Sequence, residues 1–349
     1  MICYSLPSDF EIQTLESIIK LNRLNPEHKI TEIYGQVTDG YIKNSGRMLS
    51  MLTKVSINSF GDYVAECHKH GIQFNYTINA SCMSNMEREE DTISFIRELI
   101  NLGIDSFTVS IPRLIEIIRK EFPDIELKAS AICAVNNVNK ARAMFKLGVN
   151  RIVLDPNITR CFNIIKQITD EFSDKCEMIL NNMCVKNCVF TMFHYNYDAH
   201  CILDCSNEDR YYLDKCSHQK ASDYANYLRL NWIRPEDMHY YTSSGIKRFK
   251  LQGRNVHDGK LILKAIKHYI DNDFDGNLIE LLTLFTPYNI VQPYIDNKKL
   301  HGFVERFYLN PGFCNDNCKC CGYCASYLKK CANIDELEEL KSMAQILYL

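Results

Sequence analysis

An eight-stranded parallel β/α barrel is the fold this sequence predicts, and three observations predict it. A phrase made of Gly, a β-branched residue and an apolar run recurs as HGIQFNYTI (70–78), LGIDSFTVSI (102–111), LGVNRIVLDP (147–156) and SGIKRFKLQG (244–253). An amphipathic segment precedes each copy. Counting every such unit gives about eight strand candidates alternating with helices over roughly 270 residues.

The elements follow in chain order. MICYSLP reads as the first strand, and Ser8 with Glu11 has the form of a capping box opening a helix over 9–22. ITEIYGQV (30–37) is the second strand and HGIQFNYTI the third. In DTISFIRELIN, Ile93, Ile96, Leu99 and Ile100 share one helical face ahead of the fourth strand. IELKASAIC (125–133) is the fifth, LGVNRIVLDP the sixth and CEMILNN (176–182) the seventh. The eighth, SGIKRFKLQG, leads into the helix KLILKAIKHYI. Gly71, Gly103, Gly148 and Gly245 are expected to end helices in the left-handed region and launch strands. An open doubly wound sheet is the competing fold, but no G-x-G-x-x-G follows the first strand. The expected organisation is a barrel over 1–272 with a long insert at 184–240, then a cysteine-rich extension over 273–349.

The composition bounds the function. With 349 residues, 46% of them hydrophobic, the chain can bury a full core. A net charge of −3 removes any global attraction for nucleic acid, leaving only a local basic patch. The start MICYSLPSDFEIQ lacks a basic segment followed by a long apolar one, and no run approaches the roughly 18 apolar residues of a membrane span. The expectation is a soluble cytoplasmic protein with reduced thiols, so its seventeen cysteines are not a disulfide framework. Cys3, Cys67, Cys161 and Cys176 lie in apolar periodic stretches and read as small hydrophobes. Most of the others cluster at 184–216 and 314–331.

In a β/α barrel the active site lies at the C-terminal ends of the strands. Those ends offer Asn79, Cys82, Arg113, Cys133, Asn136, Asp155, Asn157, Asn181, Asn182, Lys250 and Arg254, though Asn and Asp also simply terminate strands. Cys184 and Cys188 follow the seventh strand, and the insert adds Cys201, Cys205 and Cys216. Five thiols compete for four places, and Cys201 is the one set aside. Cys184, Cys188, Cys205 and Cys216 are expected to hold a 4Fe–4S cluster, with zinc as rival and inert reduced cysteines as the structural alternative. CNDNCKCCGYC places Cys314, Cys318, Cys321 and Cys324 as C-x3-C-x2-C-x2-C, suited to a second cluster or a zinc knot, with Cys320 and Cys331 as extras.

Lys250, Gln252 and Arg254 alternate onto one side of the eighth strand, where two cations need an anion or ion-pair partners such as Asp155 or Glu236. In FHYNYDAH, His194 and Tyr195 are candidates for stacking or proton transfer. There is no H-E-x-x-H, G-x-S-x-G or P-loop. A Cys/His hydrolase, using Cys184 or Cys188 near His194, requires one low-pKa thiol rather than a cluster of them.

WIRPEDMHYYTSSGIKRFKLQGR (232–254), EMILNNMC (177–184) and GIQFNYTINASC (71–82) together resemble the collagenase-like peptidases of family U-thirty-two, over about residues 30–324. The resemblance implies a β/α-barrel core and a 4Fe–4S cluster held by four cysteines near its mouth. It also implies oxygen-independent hydroxylation of RNA bases or a quinone ring, with prephenate as hydroxyl donor. The chain departs from the family pattern at Asn181-Asn182-Met183-Cys184, and Gln252 stands where the family has an acid.

The reading is an iron–sulfur-dependent, oxygen-independent modifying enzyme acting on a peptide or small aromatic substrate, with RNA less favoured. Lys250, Arg254, His194 and Asn181 are its candidate catalytic residues. The alternatives are a collagenase-like peptidase and a non-catalytic, cluster-carrying partner subunit, with pairing as hetero- or homodimer left open.

Overall fold

The computed structural model describes residues 1–38, 46–48, 51–82, 89–200, 211–286 and 292–347. Seven strands come first: β1 Ile2–Pro7, β2 His28–Gly35, β3 Gln73–Ile78, β4 Ser106–Val109, β5 Glu126–Ala129, β6 Arg151–Val153 and β7 Cys176–Ile179. Then come β8 Asn181–Val185, β9 Leu230–Trp232 and β10 Arg248–Lys250. β1 to β7 and β10 close into a parallel barrel, with β10 paired between β7 and β1. The expected eight-stranded barrel is the observed one.

Gly71, Gly103, Gly148 and Gly245 have φ of +68°, +95°, +106° and +94°, so each ends a helix as its position in the repeat requires. The first helix differs from expectation. It runs Ile12–Leu24, and Ser8 and Glu11 form no capping box. Asp9 serves instead, accepting from Glu11 N at 3.1 Å and from the Thr14 hydroxyl at 2.7 Å. The Ser8 hydroxyl accepts from Phe10 N at 3.0 Å in the same turn.

The strands alternate in character because they face two environments. Tyr4, Phe74, Phe107, Leu127, Ile152 and Phe249 pack outward into the apolar layer under the helices. The inward positions are polar. Asn75 donates to the Ser106 hydroxyl and accepts from that of Thr108, at 2.7 and 2.6 Å. Lower in the barrel Lys128 lies 2.6 Å from both Glu32 and Glu177, and Arg151 reaches Glu32 at 2.8 Å. Barrel interiors are usually filled by branched aliphatics; here a buried ion network fills this layer.

The insert after β7 begins as an antiparallel ribbon of β8 and β9. Asn181 and Asn182, expected at the end of the seventh strand, therefore open this ribbon. Helices Thr191–His200 and Tyr211–Ser222 lie between its strands. The tail helices Tyr323–Cys331 and Ile334–Leu347 pack against the insert, at 224–229 and at the second helix respectively. No helix among the described residues is long and apolar enough to cross a membrane.

Candidate functional site

A cavity of about 220 Å³ opens at the C-terminal mouth of the barrel, where β/α enzymes carry their chemistry. Its floor is the polar barrel interior, including Thr77 and Thr108, and its wall is the insert. All four candidate catalytic residues, Asn181, His194, Lys250 and Arg254, line it, together with Cys184 and Cys216. Lys250, Gln252 and Arg254 all line the cavity, but the strand ends at Lys250, and Gly253, Asn255 and Val256 line it too, so the chain beyond β10 and not strand alternation brings them there.

Hydrogen bonds fix this arrangement. Asn181 donates to the carbonyls of Gln252 and Leu282 and accepts from Gln252 N, tying the ribbon to the chain beyond β10. Asn182 accepts from Cys184 N at 3.0 Å and donates to the Gln252 side chain. Arg254 donates to Gln36 Oε1 at 2.6 Å and to Asn79 Oδ1 at 3.3 Å. The Lys250 ammonium lies 3.5 Å over the Tyr34 ring. Asp155 and Glu236, the expected alternative partners of these cations, are engaged elsewhere. Asp155 accepts from Asn136 and Asn157 N, and Glu236 from Asn297 and Phe274 N.

Arg47 and Asp198 complete the wall, joined at 3.4 Å, and neither was singled out in the sequence. Asp198 also lies 3.6 Å from His194, and is the one carboxylate among the described residues lining the cavity. Three cations against one carboxylate give the mouth a positive field. Burial and the neighbouring charge of Lys128 push the Lys250 ammonium down to about 7, although Glu177 and Glu32 oppose the fall. Burial and the nearby Arg47 lower Arg254 to about 10. Burial likewise lowers His194 against the pull of Asp198, so its imidazole is neutral near pH 7.

The sign of the resulting pH dependence is fixed. Lys250 is cationic below about 7 and loses its charge above it. Binding of a dicarboxylate probe should therefore weaken as pH rises through that value, by up to about tenfold per unit where the charge is required. Calorimetric titration from pH 6 to 9 checks this. A Lys250→Met variant with the same pH profile as the wild type would sink it.

Two of the expected cluster ligands, Cys184 and Cys216, line this mouth. Cys184, Cys188 and Cys216 are close enough that burial and the other two thiols together raise the Cys184 pKa. Cys188 donates to Gln219 at 3.3 Å. Cys205, the fourth expected ligand, and Cys201 lie outside the described residues. Among the described residues, no three His, Cys, Asp or Glu side chains converge on a point that could hold one ion.

Other strand-end candidates lie apart from the cavity. Arg113 is exposed at the start of helix Pro112–Glu121, and the Cys133 thiol donates to the carbonyls of Val109 and Ser110. Asn157 accepts from Asn187 N and from Asn231, fastening the ribbon. Cys82 pairs with His200, its sulfur 3.2 Å from Nε2. Sequence reading named Cys82 but not His200, because the two are 118 positions apart and meet only when the insert folds back.

The model of Peptidase family U32 matches residues 29–316. "Uncharacterized protease MJ1657" of Methanocaldococcus jannaschii is 30% identical over 342 residues, covering 96% of this chain and 99% of that protein. The solved structure described as "The Structure of the U32 Peptidase Mk0906" aligns with 72% of this chain and 93% of its own. Its TM-score is 0.50 at 15% identity, a likeness of fold. On the extent of the family match and the identity with the archaeal relative, this chain belongs to peptidase family U32.

Proposed function

We propose that the barrel mouth is an active site for a carboxylate-bearing substrate, most simply the end of a peptide. The observation that carries this is the convergence of Arg47, Lys250 and Arg254 on a cavity with Asp198 as the one described carboxylate. A guanidinium fork matches the two oxygens of a carboxylate, and the low-dielectric walls strengthen that contact.

For the reaction, the names carried by the family and the archaeal relative favour peptide hydrolysis. Cys82 and His200, which do not line the cavity but follow its lining residues Asn79 and Asp198 closely in the chain, are the pair that could perform it. His200 would take the thiol proton as sulfur attacks the scissile carbonyl carbon and return it to the leaving amine. Water would then release the acyl group from sulfur. Cys184 is a poor nucleophile by comparison, since burial and neighbouring thiols disfavour its thiolate.

A second reading has its own observation in the proximity of Cys184, Cys188 and Cys216. With Cys205 they would be the ligands of a 4Fe–4S cluster, which when bound supplies Lewis-acid or redox chemistry. The chain's own contribution is then to orient an acid with Arg254 and Lys250 and to place neutral His194 for proton transfer. Prephenate, a dicarboxylate, suits that cation set, and a small aromatic or peptide acceptor is favoured over RNA.

The experiment compares peptides with free and amidated C-termini, using protein prepared anaerobically with and without iron and sulfide. The site reading expects a preference of tenfold or more for the free carboxylate, by the strength of a buried charge-assisted contact. Equal turnover of both peptides removes it. Cleavage at the same rate without iron establishes the hydrolase, and cleavage that a Cys82→Ala variant retains excludes the Cys82–His200 pair. Conversion that needs iron and leaves the peptide chain intact establishes the second reading.

A further inference from the structure

The tail cysteines form a second thiol site, and the barrel takes part in it. Cys314, Cys318, Cys321 and Cys324 all line one small cavity of about 30 Å³, separate from the mouth. The local chain explains how. A short helix Cys318–Cys321 stops at Gly322, whose φ of +62° turns the chain into helix Tyr323–Cys331. Cys324 is thereby brought back beside Cys318.

The barrel surrounds these thiols with cations. The Lys186 ammonium donates to Cys314 Sγ at 3.5 Å and to Asp316 at 2.6 Å. Arg229 lines the cavity. Arg160 is the telling residue. Its guanidinium is packed 4.6 Å over Trp232 and 5.2 Å over Phe303, and the residue is only 7% exposed. Yet its Nε and Nη2 have no hydrogen-bond partner among the described residues. Two buried guanidinium nitrogens without acceptors are costly and call for an anion. The guanidinium also lies 5.6 Å over the ring of Phe307, which lines the thiol cavity.

We propose that Cys314, Cys318, Cys321 and Cys324 hold a metal–thiolate centre, an iron–sulfur cluster, whose negative charge is offset by Arg160, Arg229 and Lys186. Four thiolates supply the anion that Arg160 lacks. Four thiols on one cavity match the count of a 4Fe–4S cluster, which takes one thiolate for each iron. The assignment goes beyond the reaction at the mouth and holds whichever chemistry occurs there.

The test uses the full chain, reconstituted anaerobically with iron and sulfide, with zinc measured in parallel. A Cys184→Ala/Cys216→Ala variant leaves the tail intact and should keep about four irons and four sulfides per chain. It should also give a cluster signal in electron paramagnetic resonance after reduction. A Cys318→Ala/Cys324→Ala variant should lose about four irons relative to the wild type. Arg160→Met should keep the fold but lose its cluster several-fold faster in air. A Cys184→Ala/Cys216→Ala variant that folds yet binds no iron overturns the proposal. So does a tail variant with unchanged iron, or one that loses a single zinc instead. These readings concern metal content alone, so they stand or fall apart from any peptide assay.

Discussion

Replacing Lys128 by Met is expected to remove roughly 3–5 kcal/mol of stability, the usual effect of breaking a buried ion pair by taking one partner away. Lys128 is fully buried and lies 2.6 Å from both Glu32 and Glu177. Burial opposes ionisation of Glu32, but Lys128, then Arg151 and Lys250, outweigh it and hold the carboxyl well below its usual range. Without Lys128, two carboxylates face each other across a dry barrel with Arg151 as the main remaining counter-charge. Urea unfolding at pH 7 measures the loss. A Glu32→Gln/Lys128→Met double variant should recover part of it, since a neutral pair strands less charge. The pH dependence has a definite sign. Glu32 is depressed in the folded state, so its contribution is present above the ordinary 4.5 and fades as pH falls through the lower folded value. A Lys128→Met protein within 1 kcal/mol of the wild type would show that the network is loosely hydrated.

That network also marks where the sequence stopped being legible. The barrel could be read because its signals are local: a Gly that ends each helix, and a period of two in each strand. The same alternation carried a second message in Asn75 and Thr77, Ser106 and Thr108, and Lys128. Polar residues at alternate positions of a strand covered by helices must face the barrel axis. The partners within that interior, Glu32, Arg151 and Glu177, come from separate strands, and only closure brings them together. The site follows the same division. Lys250 could be placed from the eighth barrel strand, with Gln252 and Arg254 just beyond its end, and Asn181 with Cys184 from the segment beyond the seventh. Arg47 and Asp198 could not, because they reach the mouth on long excursions whose path no periodicity records. Arg160 is the clearest case. In the sequence it is one more cation before a cysteine, and its unmet charge appears only when Trp232 and Phe303 enclose it.

Arg254→Lys is expected to weaken binding of a carboxylate-bearing substrate by thirty-fold or more, with the cavity and fold retained. The argument begins from geometry. Arg254 spans Gln36 and Asn79 with two different nitrogens, so its fork is held in one plane at the rim of the cavity. A planar fork offers a carboxylate two parallel hydrogen bonds, whereas an ammonium offers a point charge on a flexible stem. Lysine would keep the sign of the field but lose the bidentate contact and the tie to Gln36. Truncating one side of a buried, hydrogen-bonded charge pair costs about 2–5 kcal/mol, which is thirty-fold upward at 1.4 kcal/mol per decade. Gln36 and Asn79 are neutral amides, and lysine keeps the positive charge near Asp198, so stability should change little. The effect should therefore appear in KM or in the Kd of a dicarboxylate probe, with the unfolding midpoint held. Combining Arg254→Lys with Lys250→Met should cost less than the product of the two single effects, because both cations act on one anion. Wild-type affinity in Arg254→Lys, or strictly multiplicative losses in the double variant, would mean that the two cations serve the barrel and not a ligand.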